Sequence, residues 1–426
     1  MKNLEIAGGI PLFGEINIQG SKNAVLPVLA ACLPGEGTCV IENCPAIRDV
    51  EDTLEILEQI GCQVRRDGTA VSVCTPKTVQ CEINAHAAAR IRSSILFLGA
   101  LLGKMKKAVL PKPGGCAIGA RPIDLHLEAL QSLGVIFADR LDESEELLAA
   151  CGTAMHGGRF RLRIPSVGAT ENLVLASVLT EGVTVIENAA REPEVEELCR
   201  FLRLRGADIV RKENGNLVIT GVSTLQPVQY RMHADRIVAG TYLLAAAGTR
   251  GCIRIRNFPH GELNALLSVL QEMGGKIRVS KEMLTLDMPG RPRAVPYVET
   301  APFPGFPTDL QSPLMAVCAM ADGTSRIRET MFENRFRTVS ELRRMGAEIE
   351  VDGDCAVIQG VGCLRGAPLL APDLRGGAAL VIAALQAKGR SSIGNLEYIG
   401  RGYEDICRDF CLLGGDLYEK SVEVHE

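Results

Sequence analysis

The sequence predicts an α/β protein built from six copies of one unit, arranged as two lobes of three copies each. One observation is a recurring order of an Ala-rich apolar helix, a Gly turn, a β-branched strand and an amphipathic helix that ends at a glycine. Another is the regular spacing of these closing glycines, whose successive differences are 73, 72, 68, 72 and 68 residues. They are Gly61, Gly134, Gly206, Gly274, Gly346 and Gly414. Finally, a length of 426 residues suits two large domains better than one.

The third copy shows how the elements follow each other. Residues 168–180 carry apolar side chains at helical spacing, and the segment after Gly182 is β-branched and alternating, as in a strand. In the helix predicted over 193–204, Val195, Leu198 and Leu202 fall on one face. Each closing glycine is expected just after such a helix, in the left-handed backbone region, with a strand following it.

The copies group into two lobes. A copy of about 70 residues is too long for a solenoid repeat, whereas three copies make a lobe of ordinary domain size. We therefore expect one lobe over 22–232 and a second lobe over 233–426. The stretch Leu4–Asn17 has the composition of strands and precedes the first copy, so 1–21 is assigned to the second lobe, which becomes discontinuous. Ligand sites favour domain boundaries, so we expect the site in a cleft between the lobes.

Composition disfavours several classes of function. The formal net charge is −5, Trp is absent and aromatic residues make up 4% of the chain, which argues against a general nucleic-acid binder. No apolar stretch approaches the roughly 20 residues of a membrane helix, and the N-terminus does not read as a signal peptide. We therefore expect a cytoplasmic protein that binds neither nucleic acid nor membrane.

The 15 cysteines are scattered, odd in number and without Cys-x-x-Cys spacing, so neither a zinc site nor a disulfide framework is indicated. Cys407 and Cys411 share a face of a predicted helix, but no His or Cys partner lies at metal-ligand spacing. Most cysteines are expected to be reduced and buried, and no metal is predicted.

A loop rich in Gly and Pro, Pro111–Pro122, interrupts the second copy. Its glycines let the backbone approach a ligand, and the helix that begins at Pro122 favours an anion at its N-terminus. Cys116 lies five residues before Arg121, so the helix dipole and the guanidinium are expected to lower the pKa of its thiol below about 8.5. Such a thiol can donate a proton or attack as a thiolate; the alternative is a structural loop cysteine. The loop is also a candidate lid.

Basic residues occur at matching places in different copies of this acidic chain. Arginine forks bind carboxylates and phosphates, so a cluster drawn from both lobes suits a small polyanion. For any one of these residues, a surface or salt-bridge role is an equally good interpretation. The residues are Lys22, Arg92, Arg121, Arg335, Arg375 and Arg401.

Asp309 lies just before a predicted helix, at a position that Lys22 and Arg92 approximately share in their own copies. A lone Asp there is an N-cap by default. In a cleft, its carboxylate would instead orient or deprotonate an attacking hydroxyl. His126, on the helix after the loop, either faces the cleft or packs in the core.

Nine ordered motifs are spread along essentially the whole chain. They are Gly20-Ser-Lys-Asn-Ala, Ile91-Arg-Ser-Ser, Pro113-Gly-Gly-Cys-Ala-Ile-Gly-Ala-Arg-Pro, Pro165-Ser-Val-Gly-Ala-Thr-Glu-Asn, Glu187-Asn-Ala-Ala-Arg-Glu-Pro-Glu, Gly305-Phe-Pro-Thr-Asp, Phe332-Glu-Asn-Arg-Phe, Asp373-Leu-Arg and Arg401-Gly-Tyr-Glu. With these motifs the chain resembles the enolpyruvyl transferases, and among them the branch whose acceptor is UDP-N-acetylglucosamine.

The resemblance implies a two-lobed inside-out α/β barrel fold of six βαβαββ-type repeats, three per lobe, with an active-site cleft between the lobes. It also implies that the enolpyruvyl group of phosphoenolpyruvate is transferred to the 3′-hydroxyl of UDP-N-acetylglucosamine by addition and elimination, with release of phosphate. This reaction is the first committed step of peptidoglycan precursor synthesis, and it implies no cofactor.

By motif position, the resemblance assigns Lys22, Arg121 and Arg401 to phosphoenolpyruvate and Asn23 to the reacting centre. Cys116 would be the general acid at the vinyl carbon, the site of a covalent thioether adduct and the target of fosfomycin. Closure of its loop would exclude water. The residues assigned to the UDP-sugar are Arg92, Arg121, Pro122, Ile123, Asp124, Leu125, Asp309 and Met331, with Asp309 also near the 3′-hydroxyl.

The chain departs from the family's pattern at three places near the predicted hinge. These are Val238 where Glu is usual, Gly376 where Ala is expected, and 398–400, which read Tyr-Ile-Gly where relatives often have His-Ile-Asp. Two alternatives stay open. The Gly-Gly-Cys loop and the Phe-Pro-Thr-Asp segment speak against a shikimate-3-phosphate enolpyruvyl transferase, and only the departures support a non-catalytic UDP-sugar-binding paralogue.

Overall fold

A computed structural model describes residues 2–111, 119, 122–142, 145–281 and 283–421. These residues group into two compact units. The first unit comprises 20–111 and 122–233, and the second comprises 2–19, 119 and 234–421. Each unit has its own hydrophobic core.

The described residues form fourteen α-helices, none of which combines the length and apolarity needed to cross a bilayer. The first unit holds α1 (Lys22–Ala30), α2 (Arg48–Gln59), α3 (Ala85–Arg90), α4 (Leu96–Met105), α5 (Asp124–Gln131), α6 (Val167–Ser177) and α7 (Pro193–Leu204). The second holds α8 (Arg236–Gly248), α9 (Asn264–Glu272), α10 (Gln311–Cys318), α11 (Val339–Arg344), α12 (Leu374–Gln386), α13 (Leu396–Ile399) and α14 (Ile406–Leu412). Short 3₁₀ helices cover Arg92–Ile95, Thr308–Leu310 and Arg335–Thr338.

The strands of the described residues are numbered in chain order. They are β1 (Lys2–Ala7), β2 (Phe13–Asn17), β3 (Gly37–Glu42), β4 (Gln63–Asp67), β5 (Ala70–Thr75), β6 (Lys107–Pro111), β7 (Ile136–Asp142), β8 (Glu145–Cys151), β9 (Arg159–Arg161), β10 (Val183–Glu187), β11 (Asp208–Arg211), β12 (Leu217–Thr220), β13 (Gln229–Arg231), β14 (Cys252–Arg256), β15 (Lys276–Val279), β16 (Met283–Asp287), β17 (Val298–Glu299), β18 (Thr324–Arg328), β19 (Glu348–Asp352), β20 (Cys355–Gln359), β21 (Pro368–Leu370), β22 (Arg390–Gly394) and β23 (Asp416–Ser421).

Each unit contains three sheets. The sheet orders are β13-β3-β5-β4, β6-β8-β7 and β11-β12-β10-β9 in the first unit, and β15-β16-β14-β2, β17-β18-β20-β19 and β21-β22-β1-β23 in the second. The third copy runs β9, α6, β10, α7, β11 and β12, and the fifth runs β17, α10, β18, α11, β19 and β20, which is the βαβαββ order. The α/β class with six repeats is therefore confirmed.

The N-terminal strands lie in sheets of the second unit. β2 runs parallel to β14, with Phe13 opposite Cys252. β1 lies between β22 and β23 and is antiparallel to both, so that Leu4 faces Ile393 on one side and Glu419 on the other. Hydrogen bonding along these strands makes the second unit discontinuous in sequence.

Helices occupy the centre of each unit, as the inside-out description requires. Every residue of α8 is buried, and so are nearly all residues of α1, α4, α6, α10 and α12. These helices are mostly apolar and expose almost no residue on any side, as expected of a helix in the centre of a unit. The description as a barrel needs correction, because the sheets formed by the described residues are six separate ones and none closes on itself.

Glycine lets two central helices of the first unit approach each other closely. A Cβ atom added to Gly99 of α4 would lie 2.3 Å from the carbonyl oxygen of Asn172, and one added to Gly103 would lie 2.6 Å from that of Leu175. Both acceptors belong to α6. Any larger residue at these two positions would therefore push the helices apart.

All six closing glycines adopt the left-handed backbone conformation, with φ between 83° and 105°. Each follows a helix that ends in the same pair of hydrogen bonds. After α7, for example, Gly206 N–H donates to the Arg203 carbonyl and Ala207 N–H donates to the Leu202 carbonyl. This is the Schellman motif, which pairs carbonyls that the helix end would otherwise leave free. The predicted helix-terminating role of the repeated glycines is confirmed.

We expect Gly346→Ala to lower the free energy of unfolding by about 1–2 kcal/mol, the usual cost of the left-handed conformation for a residue with a Cβ. An added Cβ at Gly346 meets nothing within 4 Å, so backbone strain is the whole effect. The measurement is urea unfolding followed by circular dichroism. Gly362→Ala is the matched control, since its Cβ also meets open space and its φ lies outside the strained range. Equal unfolding midpoints for the two variants would contradict the interpretation.

Candidate active site

Lys22 is the first residue of α1 and is buried, with 8% of its surface exposed. A cation is disfavoured at the start of a helix, where the helix dipole is positive. The structure offsets this with Asp49 of α2, whose Oδ2 lies 2.9 Å from Lys22 Nζ. Asp49 is itself buried. The start of α1 therefore combines a helix N-terminus and an ammonium group, two features that attract an anion.

Asp309 is held by two buried arginines of the second unit. Arg335 Nη2 lies 2.7 Å from Asp309 Oδ1, and Arg375 Nη2 lies 3.3 Å from Oδ2. The side chain of Asp309 keeps 24% of its surface exposed, against 4% for Arg335 and 5% for Arg375. The two guanidinium groups thus fix both carboxylate oxygens from the protein side and leave the carboxylate accessible to a ligand.

Asp309 lies within the 3₁₀ helix Thr308–Leu310, whose N-cap is Pro307. The alternative that Asp309 serves as the N-cap is therefore wrong. The sequence did not predict that Asp309 meets Arg335 and Arg375, since 26 and 66 residues separate the Asp from its two partners.

Arg375 lies in the first turn of α12 and is fully buried. Burial alone would lower the pKa of its guanidinium, but Asp309, Tyr403 and Asp235 outweigh burial and raise that pKa above its ordinary value. The side chain therefore stays charged. Its buried Nη1 atom has no hydrogen-bond partner among the described residues.

Tyr403 lies beside Arg375 and is also buried. Burial raises the pKa of its phenol although the Arg375 charge acts in the opposite direction. The phenol oxygen lies 2.8 Å from Thr241 Oγ1, and that hydroxyl donates its hydrogen to the Ile237 carbonyl. Tyr403 must then be the donor to Thr241, which turns its oxygen lone pairs toward other donors.

The residues at the start of α5 make only some contacts with the rest of the first unit. Asp124 Oδ2 accepts a hydrogen bond of 2.5 Å from Arg163, which lowers the pKa of Asp124. Pro122 is exposed, Ile123 is half-buried against the core and Leu125 is buried. Ligand contact in this segment would fall at the helix start, on the exposed Pro122 and Asp124, on Ile123 and on the backbone.

His126 packs in the core of the first unit. Its Nδ1 lies 2.7 Å from Asn172 Nδ2, and Asn172 Oδ1 accepts the backbone N–H of Gly99. Because the Asn172 amide group is a donor, His126 Nδ1 accepts and the ring hydrogen of the neutral imidazole sits on Nε2. Of the two alternatives for His126, the packed one is observed.

The remaining predicted site residues are placed as follows. Asn23 is the second residue of α1, Arg92 begins a 3₁₀ helix, Met331 is 40% exposed, and Arg401 follows α13 and is half-buried. Cys116 and Arg121 lie outside the described residues.

Two of the three departures from the family pattern fall in well-packed positions. Val238 is buried in the first turn of α8, where its N–H bonds to Asp235 Oδ1. Gly376 lies in α12, where an added Cβ would come within 2.6 Å of Thr338 Oγ1. The 398–400 segment ends α13, with Tyr398 38% exposed.

The sequence did not single out Asp49, Glu329 or Tyr403. Tyr403 lies inside the motif that begins at Arg401, and Glu329 lies three residues before the motif that begins at Phe332. These two motifs could have pointed to both residues. Asp49 is one of several acidic residues early in a helix and carries no such signal.

Fourteen cysteines fall in the described residues and all are free thiols. Six are buried and three, Cys151, Cys363 and Cys411, are exposed, so the expectation that most are buried is wrong. Within the same residues, no group of three or more His, Cys, Asp or Glu side chains is arranged to hold a metal ion.

Comparison with known proteins decides the family. Residues 6–410 match the family of EPSP synthase (3-phosphoshikimate 1-carboxyvinyltransferase). The chain belongs to this family of enolpyruvyl transferases. The enolpyruvyl transferase NikO from Streptomyces tendae superposes with a TM-score of 0.88 at 26% identity over 99% of both chains. EPSP synthase from Acinetobacter baumannii has the same fold, with a TM-score of 0.76 at 17% identity over 99% of this chain and all of that one.

Curated relatives of this enolpyruvyl transferase share much more of its sequence. UDP-N-acetylglucosamine 1-carboxyvinyltransferase 2 of Caldanaerobacter subterraneus subsp. tengcongensis is 45% identical over 98% of this chain and 99% of its own length. UDP-N-acetylglucosamine 1-carboxyvinyltransferase of Lawsonia intracellularis is 43% identical over the same shares.

One buried carboxyl group makes the stability of this enolpyruvyl transferase depend on pH. Burial, together with the charges of Glu194 and Glu192, raises the pKa of Glu171 in α6 well above its ordinary value of 4.5. Glu171 Oε1 has no hydrogen-bond partner among the described residues. The folded state therefore holds a proton that the unfolded state releases, so stability falls as pH rises above the unfolded pKa.

We expect Glu171→Gln, which mimics the protonated acid, to be more stable than the unchanged protein at ~pH 8 and to lose this advantage toward ~pH 5. Urea unfolding midpoints at the two pH values check this. Glu181→Gln makes the same change at an exposed position of the first unit and should leave the pH dependence unaltered. A Glu171→Gln variant with the same pH dependence as the unchanged protein would rule out the buried acid as its source.

Proposed function

We propose that this enolpyruvyl transferase moves the enolpyruvyl group of phosphoenolpyruvate to the 3′-hydroxyl of UDP-N-acetylglucosamine and releases phosphate. The observation that carries the proposal is the accessible Asp309 carboxylate, fixed at both oxygens by Arg335 and Arg375. A carboxylate fixed in this way suits the orientation of one hydroxyl group. The acceptor is proposed from the names of the 42–45% identical relatives.

In the donor half of the proposed site, Lys22, Arg121 and Arg401 bind phosphoenolpyruvate, and Asn23 contacts the reacting centre. Phosphoenolpyruvate carries a phosphate and a carboxylate, so it needs several fixed cations. Lys22 supports this role because its ammonium group stands at the N-terminus of α1, where the backbone N–H groups add to its attraction for anions.

In the acceptor half, Asp309 orients the 3′-hydroxyl. Arg335 and Arg375 act on the substrate through Asp309. Met331 supplies an exposed apolar side chain. The other residues proposed for the UDP-sugar are Arg92, Arg121, Pro122, Ile123, Asp124 and Leu125.

The proposed reaction proceeds by addition and then elimination. The acceptor oxygen bonds to C2 of phosphoenolpyruvate and gives its proton to the Asp309 carboxylate, while C3 gains a proton from the Cys116 thiol, which becomes a thiolate. The C2–O bond to phosphate then breaks and phosphate leaves, C3 returns a proton to the Cys116 thiolate, and the vinyl double bond forms again. Cys116 also forms the thioether adduct, and closure of its loop excludes water from the intermediate. No cofactor takes part.

This assignment makes the chain the enzyme of the first committed step of peptidoglycan precursor synthesis, and we propose that it works in the cytoplasm. Two alternatives are outcomes of the tests below: a non-catalytic UDP-sugar-binding paralogue and a shikimate-3-phosphate enolpyruvyl transferase.

Phosphate release from phosphoenolpyruvate is the direct test. We expect release with UDP-N-acetylglucosamine and none with shikimate 3-phosphate, and we expect Cys116→Ser to reduce the rate at least ~100-fold, since one proton-transfer group contributes about that much. Cys363→Ser, at an exposed cysteine, is the matched control and should keep the full rate. Release with shikimate 3-phosphate would reassign the acceptor, and release with neither would favour the binding paralogue.

Fosfomycin labelling tests the role of the thiol separately from turnover. Mass spectrometry should find one covalent adduct on the intact protein, located at Cys116, because its position in the sequence shortly before Arg121 and the start of α5 favours the reactive thiolate. Cys116→Ser should remove the adduct, and Cys363→Ser should retain it. Unchanged labelling of Cys116→Ser would exclude Cys116 as the nucleophile.

A further inference from the structure

Glu329 follows β18 and is buried, with 4% of its surface exposed. Its Oε1 accepts hydrogen bonds from Thr300 Oγ1 at 2.9 Å, from the backbone N–H of Met331 at 2.8 Å and from that of Phe332 at 3.3 Å. Its Oε2 accepts a hydrogen bond of 2.9 Å from Thr308 Oγ1. One carboxylate therefore joins the segment that carries Met331 to the 3₁₀ helix that carries Asp309.

The direction of the hydrogen bond between Thr308 and Glu329 follows from the chemistry of the two groups. A hydroxyl has one hydrogen, and the Glu329 carboxylate can only accept, so Thr308 donates to Glu329. The Thr308 oxygen then accepts the Nε–H of Arg335 at 3.2 Å. The same guanidinium places its Nη2 on Asp309 Oδ1. Glu329 thus orients the Thr308 hydroxyl, Thr308 orients the Arg335 fork, and Arg335 orients the Asp309 carboxylate.

Glu329 is itself well anchored. Its backbone N–H donates to the Asp354 carbonyl at 2.8 Å. Thr300, which donates to Oε1, also accepts the backbone N–H of Thr330 at 2.9 Å on its hydroxyl, and Thr330 Oγ1 donates back to the Thr300 carbonyl at 2.6 Å. The carboxylate is therefore a fixed reference point for both segments and not a mobile side chain.

From this arrangement we infer that Glu329 is a positioning residue for the acceptor substrate, acting on Asp309 through Thr308 and Arg335 and on Met331 through its backbone. The inference rests on the proposed function for the identity of that substrate. Glu329 contacts neither substrate on this account, and the donor residues Lys22 and Arg401 are not part of the chain of hydrogen bonds.

Glu329→Gln tests the inference with almost no change in shape. The amide oxygen must replace Oε1, because an amide nitrogen there would face three donors. The amide nitrogen then faces Thr308, whose hydroxyl loses its acceptor and its fixed orientation. We expect kcat to fall about tenfold and the Kd for UDP-N-acetylglucosamine to rise, the scale of one lost hydrogen bond to a charged group. The KM for phosphoenolpyruvate should change less than about twofold.

Thr308 provides a conservative pair of variants. Thr308→Val keeps the shape and removes the hydroxyl, so Arg335 Nε loses its acceptor and Glu329 Oε2 loses its donor. This variant should show the same loss as Glu329→Gln. Thr308→Ser restores the hydroxyl and should recover kcat to within about twofold of the unchanged protein. If Thr308 had only a structural role, the loss and recovery of kcat would not be accompanied by changes confined to the binding of UDP-N-acetylglucosamine.

The controls make the same kinds of substitution at hydrogen-bonded residues elsewhere in the second unit. Glu341 Oε2 accepts the backbone N–H of Leu370 at 2.9 Å, and its side chain is 14% exposed. Thr249 Oγ1 donates to the Ala245 carbonyl at 2.8 Å and accepts the Leu12 N–H at 3.3 Å. Glu341→Gln and Thr249→Val should lower the urea midpoint as much as the test variants do, with kcat within about twofold of the unchanged protein.

Steady-state kinetics, calorimetric binding of UDP-N-acetylglucosamine and urea unfolding are measured on all five variants and the unchanged full chain. Loss of kcat and of acceptor binding in Glu329→Gln and Thr308→Val alone supports the inference. Values equal to those of the controls overturn it, as does a parallel rise in the KM of both substrates. If the unchanged protein releases no phosphate but binds the UDP-sugar, the proposed reaction fails while the binding comparison still decides the role of Glu329.

Discussion

The burial of three mostly apolar helices in the centre of each unit is the constraint on which the rest of this structure depends. A helix surrounded by its own unit has no side that can expose a polar group, so its ends are where charge can be presented. The candidate site residues are found there. Lys22 begins α1, Arg92 begins the turn before α4, Asp309 lies in the turn before α10, and Arg375 lies in the first turn of α12. Since helix N-termini attract anions, the packing favours phosphates and carboxylates as ligands.

Charges placed at buried helix starts must be compensated. Lys22 has Asp49, and Arg335 and Arg375 share Asp309, so these three cations each have an anionic neighbour inside their own unit. A buried charge deprived of its partner costs several kcal/mol, which ties the positions of these side chains to the stability of the fold. The burial of Glu171 is compensated differently, because the raised pKa of its carboxyl group favours the neutral acid. The burial that builds the core therefore determines which of these side chains are charged.

The repeat could be predicted from the sequence because its signal is local. Each closing glycine is required by the left-handed residue that ends its helix, whatever the rest of the chain does, and all six of these positions have that conformation. The partners of Asp309 could not be predicted, because Arg335 and Arg375 reach it only through tertiary packing. The same holds for His126, whose placement in the core and not toward a cleft depends on Asn172, 46 residues away. The barrel description failed for a related reason: local strand patterns do not say whether sheets join.

The central claim is that Asp309, fixed by Arg335 and Arg375, directs one particular hydroxyl of a UDP-sugar to phosphoenolpyruvate. The most direct measurement is nuclear magnetic resonance of the product formed from UDP-N-acetylglucosamine, phosphoenolpyruvate and the full chain. The account predicts a single vinyl ether, attached at the 3′-oxygen of the sugar. A product substituted at another hydroxyl, or a mixture of positions, would contradict it, because a carboxylate held at both oxygens should present one hydroxyl only.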